Sequence, residues 1–215
     1  MARRKKEPGS VHRSNIASAA QELFQQKGIA SASMDEIAQK AGYSKATLYV
    51  YFKNKEEIVG FLVLESMEKL YGHILKALES DGNTKTRYDN ICKSLLKYQQ
   101  EFPFYFQLAL SEINIDFSHT DFLPEEQETF RIGEKINEKV KQFIQDGIAA
   151  GDLRRDIQIM PAIFSFWGML SGLILTAENK KAYIAQEMEL SREEFLTYGF
   201  DTLYRAIAGA PENLL

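Results

Sequence analysis

Apolar positions in this chain recur at three- and four-residue intervals from end to end, and no segment sustains two-residue alternation. That period is the signature of helices with one buried face. Ile16, Ala20, Leu23 and Phe24 form one face of a first helix, about Val11–Lys27, which Gly28 ends. Val63, Met67, Leu70, Tyr71, Ile74 and Leu78 stripe a long helix that begins after Asn54 and stops near Asp81-Gly82. Further helices are expected from about Lys85 to Glu101, along Ile132, Ile136, Val140, Phe143 and Gly147, at about Ile159–Glu178, and along Leu196, Gly199, Phe200, Leu203 and Ile207. Pro103, Pro124 and Pro161 stand where helices begin and Pro211 just past an end, so none interrupts a stripe. The prediction is an all-α fold of about nine helices. A three-helix N-terminal domain (1–55, with a basic tail 1–10) joins through the long helix to a larger bundle (56–215), and Ser118–Leu123 is the clearest longer loop.

The segment from Ser31 to Glu57 departs from this plain amphipathic pattern. Ser33 and Glu36 have capping-box spacing, Ile37, Ala38 and Ala41 give a short helix one apolar side, and Gly42 supplies a turn. Ser44 then caps a second short helix with Leu48 and Phe52 facing inward, and Asn54 caps the long one. Two short helices across a glycine turn are a helix-turn-helix, at about 33–52, whose second helix enters the major groove N-terminus first. Ser44, Lys45, Ala46 and Thr47 are its base-facing candidates; Thr47 suits a base edge or a thymine methyl. Tyr49, Tyr51, Lys53 and Lys55, with Lys45, are candidates for phosphate contacts, and Ser33 lies at the same surface.

Charge sharpens that picture. The net charge is −4, yet residues 1–55 hold ten Lys/Arg against four Asp/Glu, a net of +6, leaving −10 for the remainder. A basic head on an acidic body meets polyphosphate at one end only. The single cysteine, Cys92, excludes an internal disulfide and reads as a buried apolar residue. MARRKKEPGS leads into no apolar run, so the expected compartment is the cytoplasm. Residues 157–177 are uncharged and long enough to span a bilayer, but a helix covered by protein on every side reads the same way, and no membrane partner is expected.

The run from Ser33 through Ile37-Ala38, Ala41-Gly42, Thr47-Leu48-Tyr49 and Phe52 to Lys55-Glu56 resembles the DNA-binding domain of the tetracycline-repressor (TetR) family. Ala46 replaces a frequent glycine, and Val50-Tyr51 replace a frequent histidine. The resemblance implies a bacterial transcriptional regulator, most simply a repressor. It would bind an approximately palindromic duplex operator as a homodimer and be released by a small-molecule effector. It also implies pairing through the last two helices, here with Gly168, Gly172, Leu196, Gly199 and Leu203 as candidates, and an effector pocket among the middle helices. The aromatics dense in that region (Phe102, Tyr105, Phe106, Phe117, Phe143, Phe166 and Trp167) would suit an apolar or amphipathic ligand. A DNA-binding regulator controlled by a protein partner or by abundance is the alternative. No P-loop, dinucleotide turn, HExxH or GxSxG is present, and His12, His73 and His119 are dispersed. No catalytic residue, metal or cofactor is therefore expected.

Overall fold

A computed structural model describes residues 8–111 and 122–209. Among them the chain forms ten helices and no strand: α1 Gly9–Lys27, α2 Met34–Ala41, α3 Lys45–Tyr51, α4 Lys55–Leu78, α5 Thr84–Glu101, α6 Pro103–Ser111, α7 Pro124–Ala149, α8 Ile159–Asn179, α9 Lys181–Glu187 and α10 Arg192–Arg205. The all-α fold expected from the sequence is the fold observed. The seven-residue α9 is the kind of element that two turns of periodicity do not disclose. Phe117 and most of the expected loop at 118–123 lie outside the described residues.

The chain divides into two compact units, and the break falls in the long helix expected to join two parts, twelve residues beyond position 55. It lies inside α4, between Met67 and Glu68, and residues 104–130 rejoin the first unit. Continuous helices hide the place of such a division, because neither a linker nor a change of composition marks it.

In the first unit, Ile16, Ala20 and Phe24 of α1 pack with Ile37, Leu48, Phe52, Ile58 and Leu62, all nearly or fully buried. Burying side chains of this size stabilises by about 1.5–3 kcal/mol each before the cost of ordering them. One cation is built into that packing. The Arg13 guanidinium lies 4.5 Å from the Phe52 ring centroid and 5.3 Å from that of Phe61, and pairs with Glu125 at the start of α7. Stacking on rings and pairing with a carboxylate together hold α1 against α4 and α7.

In the second unit, α8 and α10 pack together, with α5 alongside α10. The Tyr88 hydroxyl donates to the Phe200 carbonyl at 2.9 Å, and Lys85 pairs with both Asp89 and Asp201. Arg192 reaches Glu178 at 3.1 Å and Gln99 at 3.3 Å. Two glycines permit close approach. A Cβ on Gly147 would stand 2.7 Å from Leu153 Cδ1 and 2.9 Å from Thr84 Cγ2, and one on Gly199 would collide with Leu173. Helix α8 is long and apolar enough to cross a membrane, and much of its surface is uncovered within the chain.

Candidate nucleic-acid interface

Local chemistry sets the geometry of α2 and α3. Ser33 accepts from the Glu36 amide at 3.3 Å while the Glu36 carboxylate accepts from the Ser33 amide at 2.9 Å, completing the capping box. Glu36 also pairs with Lys27 of α1. The Lys27 hydrogen bond, then the two from Ser33, hold its carboxyl well below the usual range, at about 2. Gly42 terminates α2 at φ +75°, a left-handed conformation that glycine adopts without strain. Ser44 then caps α3 by accepting from the Thr47 amide at 3.1 Å, with its hydroxyl 2.8 Å from that of Thr47. At the far end, Asn54 accepts from the Glu57 amide, and Glu57 accepts from the Lys53 amide, both at 2.8 Å. Only three residues thus separate α3 from α4.

Leu48 and Phe52 anchor α3 inward at 0% exposure, and this fixes what faces out. Ser44, Lys45, Ala46 and Tyr49 are exposed, and Thr47 is half-buried. Lys45 pairs with Asp35 at 2.7 Å, with both side chains largely in solvent, so the ammonium is readily exchanged to a phosphate. Its pKa is raised by that partner. Lys53, its side chain 85% exposed, meets Glu57 only loosely, at 3.9 Å. Tyr51 is half-buried, 5.1 Å from the His12 ring, whose Nδ1 lies 2.8 Å from the Tyr43 hydroxyl.

Lys55 departs from its expected role. Its ammonium donates to the carbonyls of Ile29, Ala30 and Ala32 at 2.7, 3.1 and 3.0 Å. Three donors on three carbonyls make it a tie across the turn between α1 and α2, not a free phosphate contact. Val50, which sequence reasoning passed over as a mere departure, is 78% exposed on α3. Two positions from buried Leu48, it lies on the opposite side of the helix, and that spacing was the available signal.

The other expected sites separate. Phe143, Phe166 and Trp167 converge in the second unit on an apolar pocket, together with Tyr88, Ile91 and Ile163. Phe102 does not join them; it lies beside His73 and Tyr98 with the Lys69 ammonium 4.7 Å above its ring. Tyr105 and Phe106 are buried in the first unit, where the Tyr105 hydroxyl donates to Glu65 at 2.9 Å. Gly168 and Gly172 are exposed on α8, and a Cβ on either would meet nothing within 4 Å. Leu196 is only 1% exposed and Gly199 lies against Leu173, so both are engaged inside their own chain; Leu203 is half-buried. Among the described residues, no group of three or more His, Cys, Asp or Glu is arranged to hold a metal ion.

This arrangement, an N-capped α3 bearing an outward polar face over buried Leu48 and Phe52, coincides with a known one. Residues 16–60 match the family model for the N-terminal domain of bacterial regulatory proteins of the tetR family. Residues 16–60 are thus similar to the DNA-binding domain of the TetR family. TetR likeness is strongest in the reading head: the chain is 36% identical over 81 residues to the HTH-type transcriptional regulator TtgR of Pseudomonas putida, a match covering 38% of each protein. The chain thus spans well under half the length of that relative. Similarity at lower identity runs further. The fatty acid metabolism regulator protein of Bacillus subtilis is 25% identical over 193 residues, 86% of this chain and 93% of that one. The TetR fold is shared with the solved structure of FadR from Bacillus subtilis in complex with stearoyl-CoA: TM-score 0.66, 17% identity, covering 89% of this chain and 97% of that one.

Proposed function

We propose that this protein is a dimeric transcriptional regulator that places α3 in the major groove of an approximately palindromic operator and is released by an apolar or amphipathic effector. The observation that carries the reading is the outward face of α3, where Lys45, Ala46, Tyr49 and Val50 stand in solvent on a helix anchored by Leu48 and Phe52. Thr47 and Ala46 would meet base edges and methyls, and Lys45 and Lys53 the phosphates. Two such heads must span about 34–36 Å or a multiple of it, so a twofold dimer requires a twofold operator.

Support for pairing comes from α8. Phe164 is 64% exposed and Met169 41%, with Gly168 and Gly172 between and beside them and Tyr198 of α10 73% exposed. An apolar strip of this kind marks an interface. A membrane would have to accept α8 while Arg192 beside it stays paired with Glu178, which favours the second copy. Support for an effector comes from the apolar and aromatic lining of the pocket around Phe143, Phe166 and Trp167; its volume of about 40 Å³ means that a long ligand would have to open it. Relatives named for fatty acid metabolism and for a stearoyl-CoA complex make a long acyl compound the first class to test.

The test is selection of bound genomic fragments, followed by anisotropy titration of a selected site. The double variant Thr47→Ala/Tyr49→Ala is expected to lose sequence-specific affinity by tenfold or more, since one good base contact contributes about 1–3 kcal/mol. Unchanged specific binding in a folded double variant would remove α3 from the role assigned to it. Long-chain acyl compounds added to the complex should then release the fragment.

A further inference from the structure

On the second unit, α4 and α5 run antiparallel, as the contacts Asn90–Ser80 and His73–Glu101 show, and an open groove lies between them. Four ammonium groups line it: Lys69 and Lys76 from α4, Lys93 and Lys97 from α5. Only two carboxylates, Glu68 and Glu101, share the lining, and Glu101 is already engaged by Lys97 at 3.6 Å and His73 at 3.5 Å. Lys76 and Lys93 have no carboxylate partner among the described residues. The groove is therefore positive on a body whose net charge, over residues 56–215, is −10. Its field is felt within the protein: burial and the ammoniums of Lys97, Lys76 and Lys69 push the His73 pKa down, against the pull of Glu101.

Two features give this charge a shape. Gly72 lines the groove, and a Cβ there would meet nothing within 4 Å, so this part is open. Ser80, Asn90 and Ser94 add hydroxyl and amide groups along the same walls. The groove's cations are all lysine ammoniums, which bind phosphate as point charges. The stretch of α4 from Lys69 to Leu78 covers about 14 Å at 1.5 Å per residue, long enough for several charged groups in a row.

We infer that the α4–α5 groove is a binding site for an elongated anion carrying two or more phosphates, either a free polyphosphate or the phosphate chain of a nucleotide. The groove is lined by residues other than those of the reading head and of the apolar pocket, and it does not depend on operator binding.

Calorimetric titration of the full chain with inorganic tripolyphosphate at 0.15 M salt, where the Debye length is about 8 Å, tests it. Saturable binding at one site per chain is expected, weakened at least tenfold in Lys76→Gln/Lys93→Gln. Gly72→Leu, which fills the groove without changing charge, should weaken it comparably. Lys135→Gln/Lys139→Gln, an equal charge loss on exposed positions of α7, should not. A parallel titration with ATP separates the sources: equal affinity assigns the site to polyphosphate, tighter binding to a nucleotide. The inference is overturned if no saturable heat appears, if Gly72→Leu binds like the parent, or if the two lysine pairs behave alike. Binding that survives in Lys76→Gln/Lys93→Gln would lie elsewhere, at the reading head for instance, and would overturn it equally.

Discussion

At the scale of single residues, two lysines ten positions apart do different work. Lys55 is bound to three carbonyls of the α1–α2 turn, whereas Lys45 meets only an exposed aspartate. Lys55→Met should destabilise the first unit by about 1.5–3 kcal/mol, read by denaturant unfolding, because it strands carbonyls that a charged donor satisfied. Lys45→Gln should leave the unfolding midpoint unchanged and weaken operator binding with a shallower salt dependence. The sequence showed both as cations near a helix-turn-helix and could not separate them, since the partners of Lys55 lie 23 to 26 residues away. Caps at Ser33, Ser44 and Asn54 were legible because each joins residues three apart. Glu36 adds a pH dependence of known sign. Its carboxyl titrates near 2 in the folded chain against an ordinary 4.5, so its contribution is complete above about 4.5 and is lost as pH falls towards 2. Lys27→Met should raise that midpoint, as carboxyl-carbon NMR would report; an unmoved midpoint would mean that the Lys27 contact does not hold in solution.

At the scale of elements, glycine substitutions sort the helix faces. Gly147→Ala should cost about 1–3 kcal/mol, because the added methyl meets Leu153 and Thr84 inside a filled core. Gly172→Ala meets nothing in its own chain and should raise helix stability by up to about 1 kcal/mol in a monomer. If α8 of one copy packs on that of another, the same methyl should weaken pairing instead, and sedimentation at graded concentrations separates the outcomes. Periodicity identifies an apolar face but not what covers it. This is why Leu196, expected at a surface between copies, is buried within its own chain, while Phe164 on α8 is left bare. The pocket aromatics were mis-sorted for a related reason. Density in sequence brought Phe102, Tyr105 and Phe106 together on paper, but a turn into α6 sends their side chains to different units.

At the scale of the whole molecule, the proposed dimer makes operator affinity depend on protein concentration. Phe164→Glu should shift the dimer–monomer midpoint to higher concentration by at least tenfold and carry operator binding with it, while leaving the circular dichroism of the monomer intact. A folded Phe164→Glu variant that still dimerises at the parental midpoint would move the interface off this face of α8. The TetR resemblance was readable from about forty-five residues of spaced pattern, and the all-α fold from apolar periodicity along the chain. A division within the long helix was readable too; its place after Met67 and the return of residues 104–130 to the first unit were not, because α4 and α7 each run unbroken through both units.

That unbroken run has mechanical meaning. Helix α4 has 24 residues, about 36 Å at 1.5 Å each, and Asn54 and Glu57 clamp its foot three residues from α3. A rigid rod of that length converts a tilt of about 5° at one end into a travel of about 3 Å at the other. That distance is comparable to a base-pair step and far beyond the tolerance of a hydrogen bond. In the proposed regulator, a small tilt of α4 would therefore be enough to move the reading helix out of register with its groove.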